Sequence, residues 1–498
     1  MNNTNNHSDI ILNARKLAES AHRQIRKVTF GQIFATIEEF IFDTKSVLYG
    51  GMAMRLWAKH LQIDNKYQSL FGNSDYDVYC PDAFKMAQAM LKKLRANNIS
   101  RFAVKPATHY GTYKLIMYVE RRRNGILAEE SVNLIDLTEM EPSLMNLVRK
   151  DAHKLKAEHI DKHLLVCGPD WLRMHMYSEL MKPRDNPSRW PKIAERLAII
   201  NTYFPNTMEH LNVPTTVEHI NVPTAMDNKK TNLCQSEMQI YENKKRTSSD
   251  SELLASALKV CAQFISNRKL ILIGFTALSY FVNASKNYKR YRKDMYPLHL
   301  TGNSSVSDYD CYTSQYEYHT KELIDLLKLK FSENEITLKK FPEIQGILPK
   351  HSEIFIKIGE QSESLVALYE DTECVGYLDS FIYLSSDVKA AKKIPKAKKK
   401  SKETMPIRIA SLPTLLHLWF AWLIAQNLIS ENSLHKNDKH ITRNDVTNDV
   451  TNVTNIPTYA IVSKQKIICA IEFMLNNEQM IHGEPMSIYA GPKCGTNN

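Results

Sequence analysis

Short apolar runs broken by polar turns set the organisation of this chain. Ser46-Val-Leu-Tyr-Gly-Gly-Met-Ala-Met-Arg-Leu-Trp57 predicts a strand, a glycine turn and then a helix. Asn73-Ser-Asp-Tyr-Asp-Val-Tyr79 alternates polar and apolar positions and predicts a strand with one acidic face. After a predicted helix and hairpin comes another strand, Ser131-Val-Asn-Leu-Ile-Asp-Leu137.

The same order recurs downstream. Leu270-Ile-Leu-Ile-Gly-Phe-Thr-Ala-Leu-Ser-Tyr-Phe281 precedes Val306-Ser-Asp-Tyr-Asp-Cys-Tyr312, and Cys374-Val-Gly-Tyr-Leu-Asp-Ser380 stands third. The Ser-Asp-Tyr-Asp core is identical in both copies, which predicts a tandem duplication. Leu165 to Tyr177 parallels Ile407 to Trp419, so the apolar run Leu412–Leu428 sits opposite an ordinary helix of the first copy. That run opens on Leu412-Pro413 and contains His417 and Gln426. It predicts a buried core helix rather than a membrane span. Trp171, His175, His417 and Trp419 share these paired positions and are expected to pack in cores.

The expected division is 1–205, a linker at 206–250, and 251–498 with a polar insertion at 430–455. Residues 206–250 are rich in Asn, Thr, Lys and Ser, and 430–455 contains the slipped repeat Asn444-Asp-Val-Thr-Asn-Asp-Val-Thr. A last helix is expected around Lys464–Asn476. Lys389–Lys402 carries eight lysines in fourteen residues and reads as a solvated loop tip, or else as a polyphosphate contact or a localisation signal.

Composition narrows the class. At 498 residues, 43% hydrophobic and 24% charged, the chain fits a globular protein of two or three domains and excludes a disordered chain, a fibre or a small disulfide scaffold. The formal charge of +11 points to a polyanionic partner. The eight cysteines are too dispersed for a zinc knuckle or redox motif, and Met1–Asp9 is polar, so a reducing compartment with no secretory signal is expected.

The candidate chemistry lies in the first copy. Asp75 and Asp77, two apart on a strand, project from one face, and Asp136 on a separate strand beside them would add a third oxygen ligand. Like charges this close call for a cation between them, and an oxygen-only set suits Mg²⁺, or Mn²⁺ in its place. Gly50–Gly51 would let the backbone approach a phosphate at the start of the following helix. In the second copy Gly274 is followed by Phe275, whose ring is expected to crowd a triphosphate, although Asp308, Asp310 and Asp379 are retained.

Glycine pair, Asp-x-Asp and a later strand aspartate together resemble the polymerase-β-type nucleotidyltransferases. Within them the chain looks most like the poly(A) polymerase catalytic subunits of large cytoplasmic DNA viruses, of giant-virus, asfarvirus and poxvirus type. The matching residues are Tyr49-Gly-Gly-Met-Ala-Met54, Ser74-Asp-Tyr-Asp-Val78, His109-x-x-Thr-Tyr-Lys114 and Leu134-Ile-Asp-Leu137. Pro183-Arg-Asp-Asn-Pro187, Arg189-Trp-Pro-Lys192, Arg196-Leu197 and Tyr489-Ala-Gly-Pro492 extend the match. Met52 departs from it, standing where many cellular relatives have serine.

The resemblance implies an α+β fold of two tandem polymerase-β-like domains, each a mixed sheet backed by helices. It implies transfer of AMP from ATP to RNA 3′-ends by two-metal catalysis. Asp75, Asp77 and Asp136 would hold the metals, and Gly50, Gly51, Ser74, Asn186, Arg189 and Lys192 would face ATP. His109 is expected to be structural, and Tyr67, Tyr110 and Tyr113 could stack on bases. The partners implied are RNA, ATP and a second copy or accessory subunit, with no membrane. The setting implied is the host cytoplasm or viral factory, with packaging in the virion. The competing classes are a nucleotidyltransferase acting on a protein or small molecule, and a non-catalytic RNA-binding scaffold.

Overall fold

The computed structural model describes residues 30–64, 75–96, 101–107, 111–123, 126–182, 187–204, 248–284, 308–332, 335–344, 346–371, 375–383 and 404–437, with positions 467, 470, 471 and 474. These form two compact units, Met1–Gly168 and Pro169–Asn498.

In the first unit, a helix over 30–44 (α1) leads into β1 (Val47–Tyr49) and α2 (Gly50–His60). Then come β2 (Tyr76–Cys80), α3 (Ala83–Ala96), β3 (Phe102–Pro106), β4 (Thr112–Arg123), β5 (Ile126–Glu139), α4 (Pro142–Asp151), β6 (His153–Lys156) and β7 (His163–Val166). Their sheet runs β3-β4-β5-β2-β1-β7-β6. β2 pairs parallel with β5 and antiparallel with β1, so the sheet is mixed. Helical spacing puts Ala83, Ala87, Met90, Leu91 and Leu94 on the buried stripe of α3. α1 is tied down by the buried Glu38, whose carboxylate accepts from the Tyr76 hydroxyl at 2.9 Å and from the backbone N–H groups of Glu158 and His159 at 3.0 and 2.7 Å.

The second unit opens with α5 (Pro169–Leu180), a short turn at Pro187–Arg189, α6 (Trp190–Tyr203) and α7 (Ser248–Asn267). It continues through β8 (Ile271–Ile273), α8 (Gly274–Ala284), β9 (Tyr309–Thr313), α9 (Tyr316–Lys330), β10 (Ile336–Phe341), β11 (His351–Ile358) and β12 (Gln361–Glu370). Last come β13 (Tyr377–Tyr383), β14 (Thr404–Ala410) and α10 (Leu412–Asn437). Its sheet order is β10-β11-β12-β9-β8-β14-β13, strand for strand that of the first unit. Two seven-stranded mixed sheets backed by helices are thus present, as the duplication implied.

That topology corrects one element of the repeat. The strand taking the place of β5 is β12, which pairs parallel with β9, whereas β13 is an edge strand paired with β14 in the place of β6. Asp379 lies on β13 opposite Arg408, three strands from Asp310. It is not the third carboxylate of a second site.

α10 is buried on every side from Leu412 to Ala425, and no helix among the described residues is long and apolar enough to cross a membrane. It packs on α5, its equivalent in the repeat. Tyr177 stacks on Phe420 with centroids 6.3 Å apart, and His417 Nδ1–H donates to the Met174 carbonyl at 3.2 Å. Burial and the neighbouring His417 push the His175 pKa down to about 3, so this ring is neutral. This contact groups α5 with the second unit. The backbone of α10 runs through Ser430 to Asn437, inside the polar tract. The linker up to residue 247, Lys389–Lys402 and Asn444–Asn455 lie outside the described residues. In the expected last helix, Ile467, Ala470, Ile471 and Met474 are helical and buried.

Candidate active site

β1 stops at Gly50, whose φ of +65° lies in the left-handed region that glycine enters without strain. A second constraint acts there, because a Cβ at Gly50 would overlap the Asp77 carboxylate. The Gly51 N–H, at the start of α2, donates to Asp77 Oδ2 at 3.4 Å. Tyr49 closes the floor, stacked on Tyr79 at 4.0 Å and bonded through its hydroxyl to Thr138 Oγ1 at 2.8 Å. Burial, then the Asp77 charge, raise its pKa far above the ordinary phenol value.

Alternation on β2 sends Tyr76 and Val78 into the core and leaves Asp75 and Asp77 on the other face. Asp136 lies opposite Asp77 in the β2–β5 register. The three carboxylates, all partly buried, each offer an oxygen within 4.8 Å of the others. Ligands across one octahedral Mg²⁺ stand about 4 Å apart, so these hard oxygen donors fit such an ion with small side-chain rotations. Lys114, opposite Asp136 on β4, holds it through Nζ at 3.0 Å.

One site residue escaped sequence reasoning. Asn133 Nδ2 donates to Asp136 Oδ1 at 2.7 Å and also bonds Asp75 Oδ2. A regular strand would turn residues three apart to opposite faces, and only a bulge brings Asn133 round. Period-two reading carries no signal for it.

The structure brings Gly50, Gly51, Asp75, Asp77 and Asp136 together. Ser74, Asn186, His109, Tyr110 and Tyr67 lie outside the described residues. Arg189 and Lys192 stand in the second compact unit, on the short turn and on α6. Arg189 pairs with Glu179 at 3.2 Å, and Lys192 is exposed. Tyr113 packs its ring 5.1 Å from the exposed Phe84.

The equivalent place in the second unit keeps Gly274 with φ +65° and the same overlap with Asp310. Phe275 does not lie across a phosphate path. Its ring is buried against Trp419 at 4.4 Å and Trp422 at 6.4 Å. Opposite Asp310 stands Ala367, where the first unit has Asp136, and opposite Ala367 stands Glu353, where it has Lys114. Burial, followed by the Asp308 and Glu353 charges, drives the Asp310 pKa well above the usual carboxylate range.

Comparison with known proteins bears on the first copy. Residues 35–186 match a family model described as "Poly(A) polymerase catalytic subunit". Proteins of African swine fever virus, from the Badajoz strain and the Tick/Malawi isolate, are 24% identical over 193 residues. Each carries the description of a candidate poly(A) polymerase catalytic subunit. These matches take in 37% of this chain and 35% of each relative, about a third of its length. The Megavirus polyadenylate synthase crystal structure superposes with a TM-score of 0.56 at 14% identity, covering 99% of this chain and 80% of that one. At that identity the likeness is one of fold.

Proposed function

From the premise that residues 35–186 carry the poly(A) polymerase catalytic subunit signature, we propose that this chain is a polynucleotide adenylyltransferase. It would join AMP from ATP to the 3′-hydroxyl of RNA and release pyrophosphate. The observation that carries this reading is the convergence of Asp75, Asp77 and Asp136 beside the Gly50–Gly51 turn, inside the matched segment. Residues 1–205 would form the catalytic segment, 206–250 a linker and 251–498 a degenerate copy.

Asp75, Asp77 and Asp136 would hold Mg²⁺ or Mn²⁺, which when bound supplies activation of the attacking hydroxyl and neutralisation of the leaving pyrophosphate. The Gly51 N–H and the N-terminus of α2 would face the triphosphate, with no side chain at either glycine to keep it away. Lys114, paired with Asp136 through Nζ at 3.0 Å, would hold that carboxylate in place. Ser74, Asn186, Arg189 and Lys192 are proposed triphosphate contacts, on the strength of the family resemblance. The net charge of +11 supports an RNA partner held through its phosphates, with affinity that falls steeply with salt. The sites of action fitting its viral relatives are the host cytoplasm or viral factory, with packaging in the virion and a second subunit as partner.

Purified chain, labelled RNA primer, Mg²⁺ and each nucleotide singly provide the test. A ladder of extension with ATP, lost in Asp75→Ala/Asp77→Ala, is expected. No extension with any nucleotide, or label passing to protein, overturns the reading.

A further inference from the structure

Two of the three site carboxylates share one neutral donor. Asn133 spans Asp75 and Asp136 through a single amide NH₂, and its own Oδ1 is buried with no hydrogen-bond partner. The backbone is deformed to allow it. Between β4 and β5 the register passes from Leu115 opposite Ile135 to Ile116 opposite Asn133, leaving Leu134 as the extra residue. This bulge reverses the alternation and puts positions 133 and 136 on one face. Nothing in the packing of β5 asks for an amide there, since a buried unsatisfied oxygen is a cost that an apolar side chain of similar size would avoid.

We infer that Asn133 is a positioning residue that sets the mutual orientation of Asp75 and Asp136 before a cation arrives. The inference rests on the metal-site reading of the cluster. The chemistry of the amide suits the task. Lys114 also bonds Asp136, but its charge competes with a cation for the same oxygens. An amide donates to both carboxylates without adding charge, so it turns their remaining lone pairs toward a common point while leaving the cluster's negative charge intact. Such outer partners of metal-binding carboxylates govern affinity by way of ligand geometry.

The test uses the full-length protein as wild type, Asn133→Leu and Asn133→Ser. The probe is Mn²⁺, followed by electron paramagnetic resonance without RNA or nucleotide. In parallel, the Mn²⁺ half-saturation of primer extension and the melting temperature in chelator are measured. Asn133→Leu keeps the volume and loses the donor. In that variant, Mn²⁺ should bind roughly 10- to 100-fold more weakly. The half-saturation should rise by a similar factor, much of the turnover should return at saturating Mn²⁺, and the melting temperature in chelator should stay near that of wild type. Asn133→Ser, with one donor, should fall between. Mn²⁺ affinity equal to wild type in the Leu variant overturns the inference alone. A lower melting temperature with unchanged Mn²⁺ affinity does the same and makes Asn133 merely structural. A wild type that binds no Mn²⁺ overturns the metal-site reading and this inference together.

Discussion

The two sheets share strand order, pairing direction and a glycine with φ +65° lying against an aspartate, yet they part at three positions around that aspartate. Gly51, Lys114 and Asp136 in the first become Phe275, Glu353 and Ala367 in the second. What both copies keep serves the fold. Gly50 and Gly274 are each held by left-handed backbone and by the neighbouring carboxylate, so the first glycine of the pair says nothing by itself about phosphate binding. On the proposed function, what only the first copy keeps would serve the chemistry: the second glycine, the third carboxylate and the lysine paired with it.

The sharpest way to break this contrast is to give the first copy the residue of the second. Asp136→Ala should cut primer extension by roughly a hundredfold or more with little change in melting temperature. Asp308→Ala/Asp310→Ala should leave short-primer extension at the wild-type rate. Equal losses in the two proteins would show that the second copy also catalyses.

Next in size is Phe275→Ala. Removing a ring buried against Trp419 and Trp422 should cost about 3–5 kcal/mol, read by denaturant unfolding, while the extension rate per folded molecule holds. Activity that rises instead would mean that Phe275 blocks a working site.

The two conserved glycines separate fold from chemistry at smaller scale. Gly50→Ala and Gly274→Ala should each destabilise by about 1–2 kcal/mol from left-handed backbone alone, with displacement of the aspartate added. Only Gly50→Ala should abolish extension.

The smallest effect is in pH. Asp310 has a raised pKa, so the folded state binds the extra proton, and its contribution to stability is present below about pH 4 and lost as pH rises. Asp310→Asn should therefore raise the melting temperature at pH 8 and leave it unchanged near pH 4. His351, stacked between Phe341 and Tyr369, runs the other way. Burial lowers its pKa to about 4, so stability is lost as pH falls from about 6.5 toward that value, and His351→Phe should blunt the loss.

Much of this was legible in the sequence. Alternation around Tyr76 fixed the shared face of Asp75 and Asp77, and the repeated Ser-Asp-Tyr-Asp revealed the second sheet. The third strand of the second copy was not legible, because Leu365-Val-Ala-Leu-Tyr369 carries no carboxylate to mark it, while Cys374-Val-Gly-Tyr-Leu-Asp379 imitates the missing pattern. The direction of the Phe275 ring depended on Trp419, more than a hundred residues away. Asn133 depended on a bulge, which breaks the very period that sequence reading relies on. Ser430–Asn437 reads as a polar excursion by composition, yet the backbone simply continues a helix.

The pairing of α5 with α10 has a consequence for synthesis on the ribosome. His417 and the Met174 carbonyl it bonds are 243 positions apart. At about 5–20 residues per second, the partner of α5 emerges on the order of ten seconds or more after α5 itself. The first unit ends at Gly168 and can close as soon as it is free of the tunnel. Through that delay the nascent chain carries the first unit followed by a helix that α6 can cover on one side, while the side that meets α10, Tyr177 among it, stays bare. In that interval the chain is most open to aggregation and to chaperones.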